Sequence, residues 1–437
     1  MTRARVAAAG AAVVFTTAAL LLGGAFRSST AAAPPPAPAG GASRLQAGFA
    51  LGDTAALIGS LQQQLLANPR NAHAYGLLGL AYQQRAREIA DPVYYTKSEG
   101  ALHQALRLAP NDLVATSGLA SLALSRHRFR AALALARRVH SLSPSTAQTY
   151  GLLGDAELEL GRYDRAFADF DRLARLKPGL AAYSRVSYAR ELLGRPADAL
   201  AAMREALDSA TGEPEPTAWT RVQLGKLYWS TGLLSAAAAE YRAALAVVPD
   251  YVHALDALAQ VEGARGHFAA AIALERRAVA TTPLPQFVGY LGDLYAVSGR
   301  PAPAHRQYGL IGAIRRLLVA NGVKLDLETA LFQADHGIRL QETLAVARLA
   351  QRERPSIDGD DVLAWTLART GHCEEALGYS KLALRLGTRD ALKFFHRGAI
   401  ERCLGHRAES RAWFRRAFSL NPSFSLLWTP VARKALR

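Results

Sequence analysis

Cysteine, acidic residues and β-type patterning are all scarce in this 437-residue chain, and each scarcity excludes something. Two cysteines are too few for a small scaffold built on disulfides. Lys plus Arg number 52 against 36 for Asp plus Glu, so the formal net charge is +16. Valine and isoleucine form no long alternating runs, whereas Ala, Leu and Arg are abundant. The composition therefore predicts an almost entirely α-helical protein.

The short motifs of common enzymes are also missing. The chain has no Gly-rich phosphate loop, no nucleophile-elbow serine and no His-Glu-x-x-His pair. Cysteine and histidine concentrate only near the C-terminus, and their spacing fits no usual metal site: His372, Cys373, His396, Cys403 and His406. The sequence predicts no catalytic residues, no metal site and no cofactor.

Acidic residues are absent from the first 52 positions, which instead resemble an export signal. Arg3 and Arg5 precede an apolar run, Val6–Phe26, and a Pro/Ala/Gly-rich linker follows at 31–43. The run suits either a cleaved signal peptide or an N-terminal membrane anchor within residues 1–30. We expect an exported protein, secreted or anchored in the cytoplasmic membrane with its body outside.

A period of 34 residues runs through the rest of the chain. Pro110, Pro144 and Pro178 are 34 residues apart, as are Pro249 and Pro283. In each period a small residue interrupts an apolar helix, and a second small residue follows twelve positions later. A glycine often lies between the two, as at positions Gly161, Gly194, Gly232, Gly266, Gly299, Gly371 and Gly405. This pattern predicts pairs of antiparallel helices, packed closely at the small residues and stacked into a solenoid.

The repeated residues resemble the tetratricopeptide repeat. The third unit carries the pattern in full: Tyr150, Leu153, Gly154, Gly161, Tyr163, Ala166, Phe170 and Pro178. The resemblance implies an all-α, right-handed superhelical solenoid of about ten units over residues 70–422. Residues 44–69 and 423–437 are then expected to form terminal capping helices.

The resemblance also implies a binding surface, because the first helix of each unit in this family lines a concave groove that holds a peptide or partner helix. Transferred to this chain, the groove positions are Asp155, Glu159, Tyr188, Trp219, Lys226, Trp229, Asp293, Phe332, Asp335 and Trp365. Aromatic anchors among a few charges are typical of interfaces. Packing of tryptophans between units is the alternative interpretation.

The two cysteines fall at neighbouring places in the repeat register. Cys373 begins the second helix of the ninth unit, and Cys403 lies near the end of the first helix of the tenth. Successive antiparallel helices bring these ends to one edge, where a disulfide could form in an oxidising compartment. Two unpaired cysteines acting as small hydrophobic residues are the alternative.

Three functions remain open from sequence. The first is a non-enzymatic scaffold that binds a protein or peptide in the groove outside the cytoplasmic membrane. The second is a binder of an anionic envelope polymer or nucleic acid, although no run of five basic residues occurs and nucleic acid is disfavoured. The third is a regulatory subunit of a separately encoded enzyme. If the protein associates with a membrane, we expect the apolar segment Val6–Phe26 to be the part that contacts it.

Overall fold

The computed structural model describes residues 54–89, 91–210, 214–324 and 326–437. In these residues the regular structure consists of 22 α-helices and no strand, which confirms the predicted all-α solenoid. The helices are α1 Thr54–Ala67, α2 Ala72–Ile89, α3 Val93–Leu108, α4 Leu113–Ser125, α5 Phe129–Leu142, α6 Ala147–Glu159, α7 Tyr163–Leu176, α8 Leu180–Leu192, α9 Pro196–Asp208, α10 Pro214–Ser230, α11 Leu234–Val247, α12 Val252–Ala264, α13 Phe268–Thr281, α14 Pro285–Val297, α15 Pro301–Ala320, α16 Asp326–His336, α17 Leu340–Glu353, α18 Ile357–Arg369, α19 Cys373–Ala383, α20 Ala391–Cys403, α21 Arg407–Leu420 and α22 Trp428–Leu436.

The segment Val6–Phe26 and the linker 31–43 lie outside the described residues. Within the described ranges, no helix has both the length and the apolar character that crossing a bilayer would require.

Helices α2 to α21 form ten hairpins, in which each even-numbered helix pairs with the helix that follows it. Helix α1 precedes the first hairpin and α22 follows the last. This arrangement agrees with the ten units expected from the 34-residue period.

The tight turns inside the hairpins depend on backbone conformations that favour glycine. All seven glycines placed at these turns from the sequence have positive φ angles; Gly161 has a φ of 70°. Glycine reaches this region without the steric penalty of a side chain. In the second hairpin His127, with φ of 56°, occupies the equivalent position.

The two helices of a hairpin cross at the small residues. In the third hairpin Gly154 faces Phe170, and a Cβ atom added at Gly154 would overlap the phenyl ring. Phe170 is 1% exposed and packs with Tyr163 and Ala166 in the hairpin core. Gly154 therefore lowers helix propensity by about 1 kcal/mol relative to alanine but permits the close crossing.

The solenoid coils far enough to contact itself. The turn of one hairpin touches the loop that precedes the hairpin six units later, across 192 to 197 residues of sequence. Four hydrogen bonds illustrate these contacts: Arg128 Nε to the carbonyl of Gly322 (3.1 Å), Ile357 N to the hydroxyl of Tyr163 (2.7 Å), the Thr388 hydroxyl to the carbonyl of Leu192 (2.5 Å), and Asn421 Nδ2 to the carbonyl of Trp229 (2.8 Å). Two superhelical turns are therefore stacked directly on each other.

Candidate functional site

A cavity of about 820 Å³ lies on the inner face of the coil, and we call it the chamber. Four successive first helices, α10, α12, α14 and α16, supply most of its wall. The C-terminal residues 421–437, which we call the tail, contribute Phe424, Leu427 and Arg433 to the opposite wall. The odd-numbered partners of these helices pack against them at the small residues.

Five of the ten residues predicted for the groove line the chamber. They are Lys226, Trp229, Asp293, Phe332 and Asp335. Aromatic side chains that the sequence alone did not single out, among them Phe287 and Tyr290, complete the apolar part of the wall. The register of the repeat therefore brings these five positions together in space.

The other five predicted residues do not line the chamber. Asp155 forms a buried ion pair with Arg185 at 2.7 Å, and Glu159 binds Arg354 where the two superhelical turns meet. Tyr188 packs against the core cluster of the third and fourth hairpins.

Two of the predicted tryptophans pack against other parts of the chain. Trp219 is 5% exposed and packs with Leu180 and Ala210, so it is a core residue whose ring has little surface left for a partner. Trp365 contacts the tail. Packing between neighbouring hairpins covers Trp219, and the last hairpin and the tail cover Trp365.

Lys226 is a half-buried cation of the chamber wall and has no direct partner. In the described part of the chain, no carboxylate lies within ion-pair distance of its Nζ and no group hydrogen-bonds to it. Burial lowers the pKa of Lys226, while the carboxyl groups of Asp256 and Glu191 act in the opposite direction. At the chamber rim, Arg315 and Arg433 are exposed cations that likewise lack a carboxylate partner among the described residues.

The acids of the chamber, in contrast, are already bonded. Asp293 accepts hydrogen bonds from the Tyr308 hydroxyl and from His336 Nε2, each at 2.7 Å. His336 Nδ1 lies 2.7 Å from the carbonyl of Phe332, so both ring nitrogens face acceptors. Burial alone would lower the pKa of His336, but the bond to Asp293 and the other acceptors leave it raised. Asp293 therefore has two hydrogen-bond donors within the chain, whereas Lys226 has no hydrogen-bond partner among the described residues.

A buried pair of acidic residues, Glu275 and Asp256, lies at the chamber wall, and the sequence analysis missed Glu275. Glu275 on α13 occupies the position where other hairpins have Phe170, Tyr241 and Tyr308. Its side chain is fully buried, and neither carboxylate oxygen accepts a hydrogen bond from a donor. Burial and the adjacent carboxyl of Asp256 raise the pKa of Glu275 well above its usual range. The sequence did carry a signal for this site, because an acidic residue stands at a repeat position that is aromatic in several other hairpins.

The tail lies across the inner face of the last three hairpins. Trp428 Nε1 donates to Asp335 Oδ1 at 2.9 Å, and Trp365 Nε1 donates to the same oxygen at 2.8 Å. The ring of Trp428 stacks on Phe395 at 5.4 Å between centroids and meets Trp365 edge-on at 5.2 Å. The guanidinium of Arg369 lies 5.3 Å from the Trp428 ring centre. The sequence analysis assigned Trp428 only to the expected C-terminal capping helix at 423–437.

The two cysteines meet at one edge of the solenoid. The structure joins Cys373, the first residue of α19, to Cys403, the last residue of α20, in a disulfide with α-carbons 6.0 Å apart. The histidines near them do not gather around the sulfurs. Within the described ranges, no group of three or more His, Cys, Asp or Glu side chains could hold a metal ion.

One family profile, described as the tetratricopeptide repeat, matches residues 117–181, 152–214 and 222–285. These three segments are therefore similar to tetratricopeptide repeats. Their hairpins belong to the same continuous solenoid as the hairpins before and after them. Among curated proteins, no sequence matches the chain.

Several solved structures are similar to the chain at low sequence identity. A thermophilic TPR protein from Thermus thermophilus is 23% identical over 46% of this chain and 99% of its own, with a TM-score of 0.38. The human IFIT1 dimer with PPP-AAAA is 15% identical over 84% of this chain and 86% of its own, with a TM-score of 0.47. YrrB, described as a TPR protein with an unusual peptide-binding site, is 19% identical over 42% of this chain and 94% of its own, with a TM-score of 0.29.

Proposed function

We propose that this protein is a non-enzymatic scaffold that binds an acidic, aromatic-bearing segment of a partner protein in the chamber. The observation that carries the proposal is the half-buried ammonium group of Lys226, which lines a cavity of about 820 Å³ without an ion-pair partner in the described residues. A charge withdrawn from water is stabilised when an opposite charge pairs with it, and a partner carboxylate would supply that charge.

The apolar part of the wall supports the same ligand class. Trp229, Phe287, Tyr290 and Phe332 offer aromatic faces, which contribute strongly to binding when a partner's apolar side chain excludes water from them. Asp293 and Asp335 already accept hydrogen bonds from side chains of the chain itself, whereas the ammonium group of Lys226 has no such partner among the described residues. A segment that combines acidic and aromatic residues is therefore complementary to both parts of the chamber.

A pair of labelled peptide pools tests the proposal. One pool of ten-residue peptides draws on Asp, Glu, Trp, Phe, Leu and Ser, and the matched pool replaces Asp and Glu with Lys and Arg. By fluorescence anisotropy we expect the acidic pool to bind the full chain. The Lys226→Met variant should bind it at least tenfold more weakly, and Lys226→Arg should retain most of the affinity.

The matched control is Lys381→Met, which removes an exposed lysine of α19 outside the chamber. Equal losses in the two methionine variants, with a steep dependence on salt, would instead indicate general attraction of polyanions to the +16 chain. Equal binding of the basic pool would also contradict the proposed chamber chemistry.

We further propose that the body of the protein acts outside the cytoplasmic membrane. The proposal rests on Arg3, Arg5 and the apolar run Val6–Phe26 in the sequence. A reporter that is active only in the cytoplasm, fused after Arg437, should be inactive when the native N-terminus is present. Deletion of residues 1–30 should restore its activity. Full reporter activity with the intact N-terminus would overturn the proposed location.

A further inference from the structure

The tail contacts the rest of the protein as a bound ligand would. At the start of the tail, Asn421 donates a hydrogen bond to the carbonyl of Trp229. Leu426 packs against the apolar cluster of α13 to α15. Trp428 then lies among α16, α18 and α20. No ion pair joins residues 421–437 to the remainder of the described chain. Packing of side chains and a few hydrogen bonds therefore hold the tail in place.

The site that receives Trp428 has the features of a recognition pocket for tryptophan. Asp335, Trp365, Arg369 and Phe395 surround the indole, and we call these four residues the tryptophan seat. The ring of Phe395 stacks on the indole, and the ring of Trp365 meets it edge-on. The guanidinium of Arg369 lies near the indole, and the carboxylate of Asp335 accepts a hydrogen bond from its N–H. With the tail in place, Trp365 and Phe395 are 3% and 1% exposed.

The helix that carries Trp428 is weakly anchored by comparison. Helix α22 has nine residues, which is shorter than the length of about 12 to 15 at which an isolated helix becomes even marginally stable in water. Thr429 and Ala432 are its buried residues, and Val431 is 42% exposed. Trp428 makes the contacts of α22 with the seat, and Ala432, Ala435 and Leu436 pack in the same core cluster.

The seat and the chamber are continuous. Asp335 belongs to the chamber wall and also accepts the Trp428 indole, and tail residues 423–427 close the same chamber. The tail contains three basic residues, Arg433, Lys434 and Arg437, and no acidic residue. An acidic segment that enters the chamber therefore meets the tail directly and is attracted to it.

We propose that the tryptophan seat is a ligand subsite of the chamber, which the chain's own Trp428 fills until a tryptophan of the partner segment displaces it. The tail is then a tethered competitor, and its displacement opens the chamber. This inference rests on the proposed function for the identity of the partner, but the exchange of the tail can be measured without any partner.

The test uses full-length protein and a labelled synthetic peptide with the sequence of residues 421–437. In the wild-type chain the tethered tail competes at high effective concentration, so the free peptide should bind weakly. In the Trp428→Ala variant the seat is empty, and the peptide should bind at least tenfold more tightly. A peptide in which Trp428 is replaced by alanine should bind neither chain.

Two controls keep the outcome clear. Trp413→Ala removes a tryptophan of α21 that packs on Phe394 outside the seat, and it should leave peptide binding as in the wild type. Trp428→Phe keeps a ring but loses the N–H donor to Asp335, so it should give an intermediate affinity even if the alanine variant folds poorly. Equal affinity of the peptide for wild type and both Trp428 variants would overturn the inference.

The two proposals fail separately. Tail-peptide exchange without binding of the acidic pool would retain the tryptophan seat and reject the proposed partner class. Binding of the acidic pool without tail-peptide exchange would retain the chamber and reject displacement of the tail. Replacement of tryptophan by alanine in the acidic pool should reduce its affinity for the wild-type chain, and no reduction would count against the seat as a subsite.

Discussion

At the scale of single residues, Glu275 departs most from the chemistry of its position. Four other hairpins fill this position with an aromatic side chain that packs against a glycine of the first helix, as Phe170 packs on Gly154. Hairpin six has Glu275 facing Asp256 instead, in a fully buried site. Two carboxyl groups cannot both ionise there without a large electrostatic penalty, so the folded protein holds a proton on the pair.

The first prediction concerns the pH dependence of stability. The pKa of Glu275 in the folded state lies well above 4.5. Burial raises the pKa of Asp256 to about 6, although Gln260, Lys226 and Glu275 act in the opposite direction. Above the unfolded pKa values, the unfolded chain releases these protons while the folded chain keeps them. Stability should therefore fall as the pH rises from about 4 through the folded pKa values, by about 1.4 kcal/mol for each pKa unit of difference.

The Glu275→Gln variant should reduce the slope of this dependence and should be more stable than wild type at pH 8. Part of the slope should remain, because the pKa values of Asp169 and Glu191 are also raised, each to about 7. Denaturant unfolding between pH 4.5 and 8 measures the effect. Glu205→Gln, at an exposed position of α9, is the control and should reproduce the wild-type profile. If Glu275→Gln kept the wild-type slope, the buried acids could not be its cause.

At the scale of helices, the disulfide connects the start of α19 to the end of α20. Its position was predictable because it follows from the repeat register and from the antiparallel packing of neighbouring helices alone. The same local rules predicted the positive-φ turn at Gly161 and the close crossing at Gly154. Each of these features depends on residues within one or two units of each other.

The second prediction is that the disulfide stabilises the last hairpins and, through them, Phe395, the residue of the tryptophan seat on α20. It closes a loop with a sequence separation of 30 residues, which contributes about 3 kcal/mol in the chain-entropy view. Cys403→Ser should destabilise the protein by roughly that amount and should accelerate amide exchange in α20 to α22 before other helices. Denatured, non-reduced protein from the native host should show no free thiol, and two free thiols per chain would refute the bridge.

At the scale of the whole molecule, the sequence did not reveal which units meet after one turn of the superhelix. That outcome depends on a small rotation accumulated over six hairpins, and no residue pattern encodes it locally. Glu159 illustrates the consequence, because its groove position was predictable while its partner, Arg354, lies 195 residues away. Thr388 illustrates it as well, because its hydroxyl donates to the carbonyl of Leu192, which lies 196 residues earlier in the chain.

Stacking of the two turns should also change how the protein unfolds. In an open solenoid each repeat contacts only its neighbours, so stability is nearly a sum of local terms and the ends can fray independently. Here Arg354, in the loop before α18, forms an ion pair with Glu159 at the end of α6, at 2.5 Å. The same guanidinium also pairs with Glu328 of α16 at 3.2 Å. Gly161 contributes, because a Cβ atom there would overlap the carbonyl of Pro355. We therefore expect the two turns to unfold together.

The third prediction tests this coupling through Arg354. Arg354→Ala leaves Glu159 buried without its cation, which typically destabilises a protein by about 3 to 5 kcal/mol. The loss should also separate the superhelical turns, so that wild type unfolds in one transition and the variant in two, with a larger radius of gyration by small-angle X-ray scattering. Arg352→Ala, which removes an exposed arginine two residues away, is the matched control and should change neither property. A single transition and an unchanged radius of gyration in Arg354→Ala would show that the remaining contacts, such as Tyr163 with Ile357 and Thr388 with Leu192, suffice to hold the turns together.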